Sequence, residues 1–378
     1  MDDVYARSLE LHRLQRGKLA TTSKVPLKSR ADLSVAYTPG VAEVCRLIAK
    51  DKMASFTHTV RGNSVAVVTD GSAILGLGNL GPEAALPVME GKAILFKAFA
   101  NIDAFPICLA TQDTEEIVRT VKNIAPSFGG INLEDISAPR CFEIEDRLRA
   151  DLAIPIMHDD QHGTATVVLA ALINALKVRG SLKEAVRIVV GGSGAAGTAV
   201  AKMLVEYGVH DVVVCDSTGI VHAGRAGLSA LKKELARMTN KNGISGSLAD
   251  AMRGADVFIG VSAPNIVTEE MVASMAARPI VFALANPVPE IMPDAAHAAG
   301  AYVVATGRSD FPNQINNVLA FPGIFRGALD NKVRIITDAM LMRAATALAG
   351  LVPEPTQEKI LPDLFDAAVV PAVAGAIR

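Results

Sequence analysis

Apolar runs recur along the second half of the chain at intervals that a helix can fill: Ile188 to Val190, Val212 to Cys215, Val257 to Ile259, Ile280 to Leu284 and Tyr302 to Ala305. Short apolar runs separated by longer helical stretches predict strands alternating with helices, the pattern of a doubly wound parallel sheet. Each run ends on glycine or polar residues: the GGSGAAG loop at 191–197, Asp216, Gly260-Val261-Ser262, Asn286-Pro287 and Thr306-Gly307. Ligands of such sheets bind outside the carboxyl ends of the strands, so these loops are expected to converge on one crevice. The earlier part of the chain is patterned less regularly. It is expected to form a smaller α/β substrate domain over residues 1–155, followed by a Rossmann-type domain over 156–378 whose last part folds back as helices.

The segment from Val186 to Asp216 is the sharpest local signal. Gly192, Gly194 and Gly197 fit G-x-G-x-x-G between two apolar runs, and each answers a different steric demand: a tight turn, close backbone approach to a pyrophosphate, and close packing of helix on strand. The anion would sit at the helix N-terminus, among the backbone N–H groups of the loop. Asp216 closes the second run, where an acid accepts hydrogen bonds from an adenosine ribose and disfavours a 2′-phosphate. Arg225, a little further on, is a group that could reach such a phosphate. The same glycine spacing recurs at Gly76, Gly78 and Gly81, but Asp70-Gly71-Ser72-Ala73 separates it from the preceding run, Val65 to Thr69, and Pro82-Glu83 follows directly. The copy at Gly76 to Gly81 therefore reads as a loop near a substrate and that at Gly192 to Gly197 as a dinucleotide site, with NAD or NADP both open.

Composition narrows the classes. The chain has 378 residues, half of them apolar, enough for two cored domains. A net charge of −2, no Trp and four Tyr argue against nucleic acid as a partner. No apolar run is long enough to span a membrane; the stretch from Ala165 to Leu176 is short and interrupted by Asn174. Cys45, Cys108, Cys141 and Cys215 stand alone and are expected to be reduced packing residues of a cytoplasmic protein. The charged N-terminus lacks the apolar core of a signal peptide.

Three acidic positions remain to be explained. Glu134 and Asp135 are adjacent in INLEDI, and adjacent side chains converge only where a regular element ends. Asp159 and Asp160 precede an apolar helical run, where capping and dipole compensation are common roles. Carboxylates without basic neighbours also suit a hard divalent cation such as magnesium or manganese. His158 and His162 flank the second pair, which leaves zinc open, but no cysteine stands nearby.

The segments AYTPGVA (36–42), TDGSAILGLGNLG (69–81), EGKAILFKAFA (90–100), INLEDI (131–136), HDDQHGTA (158–165), GGSGAAG (191–197), ANPVPE (285–290) and NQINNVLAFPG (313–323) together resemble the malic enzyme family in its compact bacterial form. The resemblance spans nearly the whole chain. It implies oxidative decarboxylation of L-malate to pyruvate and carbon dioxide with NAD(P) and magnesium or manganese, in a homodimer. Tyr37 becomes the acid and Lys92 the base, with Asp159 orienting it, and Glu134, Asp135 and Asp160 the metal ligands. Thr164, Gly192, Ser193, Gly194, Ala195, Ala196, Gly197 and Asp216 fall on the cofactor, and Asn286 and Asn317 near both cofactor and substrate. Larger relatives carry a substrate-binding arginine where Ser72-Ala73 stands here, so that contact must come from elsewhere. Lys92 can act as a base only with a lowered pKa, which burial and a nearby cation would supply. The apolar C-terminal run AAVVPAVAGAI is a candidate dimer surface. Malolactic or oxaloacetate-decarboxylase activity, a metal-independent amino-acid dehydrogenase and a non-catalytic NAD-responsive protein are the competing readings.

Overall fold

The computed structural model describes residues 2–378. Ten strands lie in two sheets. The first orders β1 (Ser64–Thr69), β2 (Asp103–Cys108), β3 (Gly130–Leu133) and β4 (Ile156–His158) as β2-β1-β3-β4, all parallel. The second contains β5 (Arg187–Gly191), β6 (Asp211–Asp216), β7 (Gly219–Ile220), β8 (Val257–Gly260), β9 (Ile280–Ala283) and β10 (Val303–Thr306) in the order β10-β9-β8-β5-β6-β7. Only β7 runs antiparallel. This is the α/β, doubly wound architecture expected from the alternation, and each of the five expected runs is a strand. The topological switch falls beside β5, whose carboxyl end carries the glycine loop.

The N-terminal half is more regular than its sequence pattern. β1 is buried along its whole length, as a strand covered on both faces must be. β2 contains Pro106, which weakens its sequence signal but is tolerated because β2 is an edge strand. β4 belongs to the first sheet and runs directly into a long helix, Asp159–Arg179, which packs against the second sheet's helices Ala195–Tyr207 and Asp338–Gly350. That helix is buried on most sides and so lacks an amphipathic stripe. It carries one apolar core from one sheet to the other.

The end of the chain is interior. In the helix Val369–Ala376, Val369 and Val373 are buried against the helix Phe321–Asp330, close enough that a Cβ on Gly323 would stand 2.6 Å from Val373. One face of the expected dimer surface, Val369, Val373 and Ile377, is covered by its own chain, while Ala367, Ala368, Pro371 and Gly375 stay exposed. All four cysteines are free, with Cys141 and Cys215 buried and Cys108 partly so. Cys45 departs from the expected packing role, because the helix Val41–Lys50 that bears it buries none of its residues. No helix among the described residues is long and apolar enough to cross a membrane.

Asn174, the polar interruption noted in the sequence, is fully buried in the long helix and donates to the carbonyls of Ala349 and Ile360, both at 2.9 Å. Replacing it by the more hydrophobic leucine would remove that donor from the Ile360 carbonyl and one of those on Ala349, whose carbonyl keeps the Val352 N–H at 3.1 Å. Asn174→Leu is expected to lower stability by about 1–3 kcal/mol, read as a fall in the urea midpoint at unchanged slope.

Candidate active site

Glu134 and Asp135 lie just past the end of β3, where the backbone leaves the pleat. Asp135 adopts φ +53°, a left-handed turn that aspartate tolerates, and its N–H donates to Asp160 Oδ2 at 2.9 Å. Ala73 N–H, from the loop after β1, donates to the Asp135 carbonyl at 3.0 Å and fastens that loop to the turn. Glu134, Asp135 and Asp160 each bring one oxygen within 4.8 Å of the others. Burial first, and mutual repulsion after it, pushes the pKa of Asp135 up; burial likewise raises Glu134 and Asp160, although Lys92 opposes it in both. Asp135 Oδ2 is buried and has no hydrogen-bond partner. Three converging carboxylates with an orphaned oxygen fit a hard divalent cation.

Lys92 sits in the helix Pro82–Ala100 and is only 7% exposed. Its Nζ lies 2.6 Å from Asp159 Oδ2, 2.9 Å from Glu134 Oε1 and 4.3 Å from the centroid of Phe321. Burial alone would lower its pKa, but the charges of Asp159 and Glu134 and their hydrogen bonds more than reverse this and hold it above the ordinary lysine value. The lowered pKa expected of a base is therefore not a property of these residues by themselves. Asp159, fully buried, is raised to about 6 by burial, with Lys92 opposing.

Of the flanking histidines, His162 has a ring partner, whereas both ring nitrogens of buried His158 have no hydrogen-bond partner among the described residues. Glu145, 3% exposed, accepts from the His158 N–H at 3.1 Å and from the Gln161 side chain and His162 Nε2 at 3.0 Å each, which clamps the turn from β4 into the long helix. His158 is lowered to about 4 by burial and stays neutral near pH 7. Only His158 Nε2 approaches the cluster, 3.4 Å from Asp160.

The glycine loop is built as its spacing implies. Gly192 has φ +132° and would place a Cβ 2.7 Å from the Val261 carbonyl, and a Cβ on Gly197 would lie 2.1 Å from the Gly192 carbonyl. Around Gly194 there is open space, and the helix Ala195–Tyr207 begins there with no side chain capping it. Its first N–H groups face a ready anion site. Thr164, Ala196, Asn286 and Asn317 line one cavity of about 640 Å³ with Lys92, Glu134, Asp135 and Asp160. Gly76 lines it too, so close to the Asn286 carbonyl that a Cβ would come within 2.0 Å. Each glycine segment thus contributes to the same cavity, one through Leu75 and Gly76 and the other through Ala196. Gly192, Ser193, Gly194 and Gly197 stand in the loop at its edge.

Two expected residues sit apart. Tyr37, at the end of the short helix Arg30–Ala36, is 64% exposed and does not line the cavity. Asp216 ends β6 as expected, but its oxygens already accept from Thr218 N–H at 2.9 Å, Thr218 Oγ1 at 2.7 Å, Lys232 Nζ at 2.6 Å and both terminal nitrogens of Arg225. Burial raises its pKa, yet these bonds hold it well below the carboxylate range.

Sequence reasoning missed several groups. His12 and Lys18, from the N-terminal segment, line the cavity. Ser72 is buried and accepts from Ser137 N–H at 2.9 Å and Arg140 at 3.1 Å, while Arg140 also pairs with buried Asp70 at 2.8 Å. Glu290, fully buried, accepts from Ser262 N–H at 2.9 Å and Ala285 N–H at 3.0 Å, holding the loops after β8 and β9 together. Asp70, Ser72 and Glu290 fall within segments quoted for the resemblance but without a role there, and His12, Lys18 and Arg140 lie in no motif.

Residues 16–149 match the family model for the malic enzyme N-terminal domain, and residues 161–377 that for the malic enzyme NAD binding domain. The bifunctional malic/malolactic enzyme of Bacillus subtilis is 56% identical over 98% of this chain and 91% of its own length. The NAD-dependent malic enzyme of Geobacillus stearothermophilus is 55% identical, covering 96% of this chain and 76% of its own. The crystal structure of the NAD-dependent malic enzyme of Thermotoga maritima superposes with a TM-score of 0.95 at 52% identity over 98% of both chains.

Proposed function

The chain belongs to the malic enzyme family, and from that premise we propose that it oxidises and decarboxylates L-malate to pyruvate and carbon dioxide, reducing NAD or NADP with the help of magnesium or manganese. The observation that carries this reading is the convergence of Lys92, three carboxylates and two asparagines in one cavity beside the glycine loop. A metal-independent dehydrogenase would have no use for Glu134, Asp135 and Asp160 buried together. The same reading divides the chain into a substrate domain and a cofactor domain near Ile154-Pro155, in a cytoplasmic setting suited to free cysteines.

When bound by Glu134, Asp135 and Asp160, a divalent cation supplies Lewis acidity to the substrate oxygens and competes with Lys92 for the charge of Glu134. The dinucleotide, seated on the helix Ala195–Tyr207, supplies the hydride acceptor. Lys92 is the basic side chain placed to take the proton of the carbon-2 hydroxyl, and Asp159, 2.6 Å away, holds the resulting ammonium. Asn286 and Asn317, which line the same cavity, offer amide groups to substrate and nicotinamide. Carbon 3 must regain a proton after carbon dioxide leaves, the role proposed for Tyr37.

Tyr37 of one chain does not reach its own cavity, and the segment around it exposes Leu33, Val35, Leu47 and Met53. A second copy covering this apolar segment would bring Tyr37 to the neighbouring site, so the homodimer and the tyrosine's role stand together.

Asp216 cannot select NAD by accepting ribose hydroxyls while its oxygens are already saturated. Arg225 and Lys232 leave one net positive charge beside it, a field that tolerates a 2′-phosphate.

L-malate with manganese is expected to drive NAD(P)H accumulation that EDTA abolishes, followed at the nicotinamide absorbance. Activity that survives EDTA, or lactate without free NAD(P)H, rejects the proposal in favour of the dehydrogenase or malolactic reading. Lys92→Ala is expected to lose at least about 10²-fold in kcat. Co-expressed Tyr37→Phe and Lys92→Ala chains are expected to recover about a quarter of wild-type activity, the share of intact sites in a randomly mixed dimer; no recovery places Tyr37 within its own chain. NADP is expected to give a kcat/KM at least equal to that of NAD, and Lys232→Ala to lower the NADP value about tenfold while leaving NAD within about twofold. A strong NAD preference overturns this account of Asp216.

A further inference from the structure

A dicarboxylate bound in this cavity presents two anionic ends. One leaves as neutral carbon dioxide and one stays. A cation paired to the leaving carboxylate stabilises the ground state more than the transition state and so slows the reaction, whereas a cation on the retained carboxylate holds substrate and transition state alike. The cavity is therefore served by a positive charge near the hydroxyl-bearing carbon, beside Lys92.

The two lysines that line the cavity are Lys18 and Lys92. Lys92 is committed to Asp159 and Glu134. Lys18 has no ion-pair partner among the described residues; its Nζ donates to the Pro87 carbonyl at 2.7 Å, which leaves further N–H groups free to turn inward. Its backbone N–H donates to Glu90 Oε2 at 3.0 Å, and Gly17, at φ +100°, brings the chain close to that carboxylate. The ammonium lies 3.4 Å from where a Cβ on Gly91 would stand, and Gly91 directly precedes Lys92 on the same helix. A Cβ at Gly91 would only just touch the ammonium, but a larger, branched side chain there would compete with it for this place on the helix.

We infer that Lys18 binds the substrate, its ammonium holding the carboxylate that is retained in the product. The inference rests on the malic enzyme reading of the cavity. Partial burial lowers the pKa of Lys18, with Glu90 opposing, so the group is already partly desolvated and gains from an anion brought against it.

The test is steady-state kinetics on the full-length chain with saturating manganese, in both directions. Lys18→Ala is expected to raise the KM for L-malate about 10- to 100-fold, the worth of one hydrogen bond to a charged group, with kcat changed less than about threefold. The KM for pyruvate, which keeps only the retained carboxylate, is expected to rise by the same factor. Lys18→Arg is expected to recover part of both, and Gly91→Val, which takes the ammonium's place while Lys18 remains, to reproduce the loss. Calorimetric titration of oxalate, an unreactive carboxylate ligand, into the manganese-loaded protein is expected to show the same weakening without turnover. A rise for malate but not pyruvate assigns Lys18 to the leaving carboxylate and overturns the inference, as do unchanged KM values or a loss confined to kcat and thermal stability. If the wild-type protein does not oxidise malate, the cavity reading fails and this inference with it; if it does and the variants bind as wild type, the inference fails alone.

Discussion

One ammonium shared between two buried carboxylates is the interaction on which the site depends. Lys92 is flanked by Glu134 and Asp159, and Asp135 and Asp160 crowd the same space, so four acidic groups surround one cation. Burying charges is costly even when they are paired, and breaking a buried pair by removing one partner typically costs about 3–5 kcal/mol. A fold selected for stability alone would fill this volume with apolar side chains. The raised carboxylate pKa values, caused first by burial, express a demand for positive charge that the proposed divalent cation would meet.

Holding that arrangement needs rigid supports from elements far apart in the chain. The long helix Asp159–Arg179 starts with two of the acids at the end of the first sheet and continues into the core of the second. Its first turn is fixed by Glu145, which binds the backbone of His158 and two side chains beyond it. Lys92 is steadied from the other side, its ammonium over Phe321, which packs 4.7 Å centroid to centroid on Phe96. Because one continuous core joins both sheets, the distance from the acids to the glycine loop is set by packing rather than by a linker.

Much of this was legible from the chain because it rests on local rules. Strands β5, β6, β8, β9 and β10 announce themselves as apolar runs, and Glu134 and Asp135 could converge only past a strand end, which is where they lie. β2 was obscured by Pro106, harmless only because the strand is at an edge, a fact of tertiary pairing. The apolar C-terminal helix reads equally well as core or interface, and packing against Gly323 and Gly327 assigns one of its faces to the core. Lys18 carries no motif; its position follows from a turn at Gly17 and a bare patch at Gly91, more than seventy residues away in a part of the chain with no periodic link to it.

Asp216 shows why a local rule can name a residue without fixing its electrostatic effect. An acid at the end of the second strand of a dinucleotide unit discriminates between cofactors only while its oxygens are free to accept from the ribose. Here Arg225, nine residues on, and Lys232, sixteen residues on, bring two positive charges to the same carboxylate. Coulomb energy depends on the summed charge at a point, not on the type of the nearest residue. One carboxylate beside two cations presents a positive site to an incoming phosphate, the reverse of what the isolated acid implies.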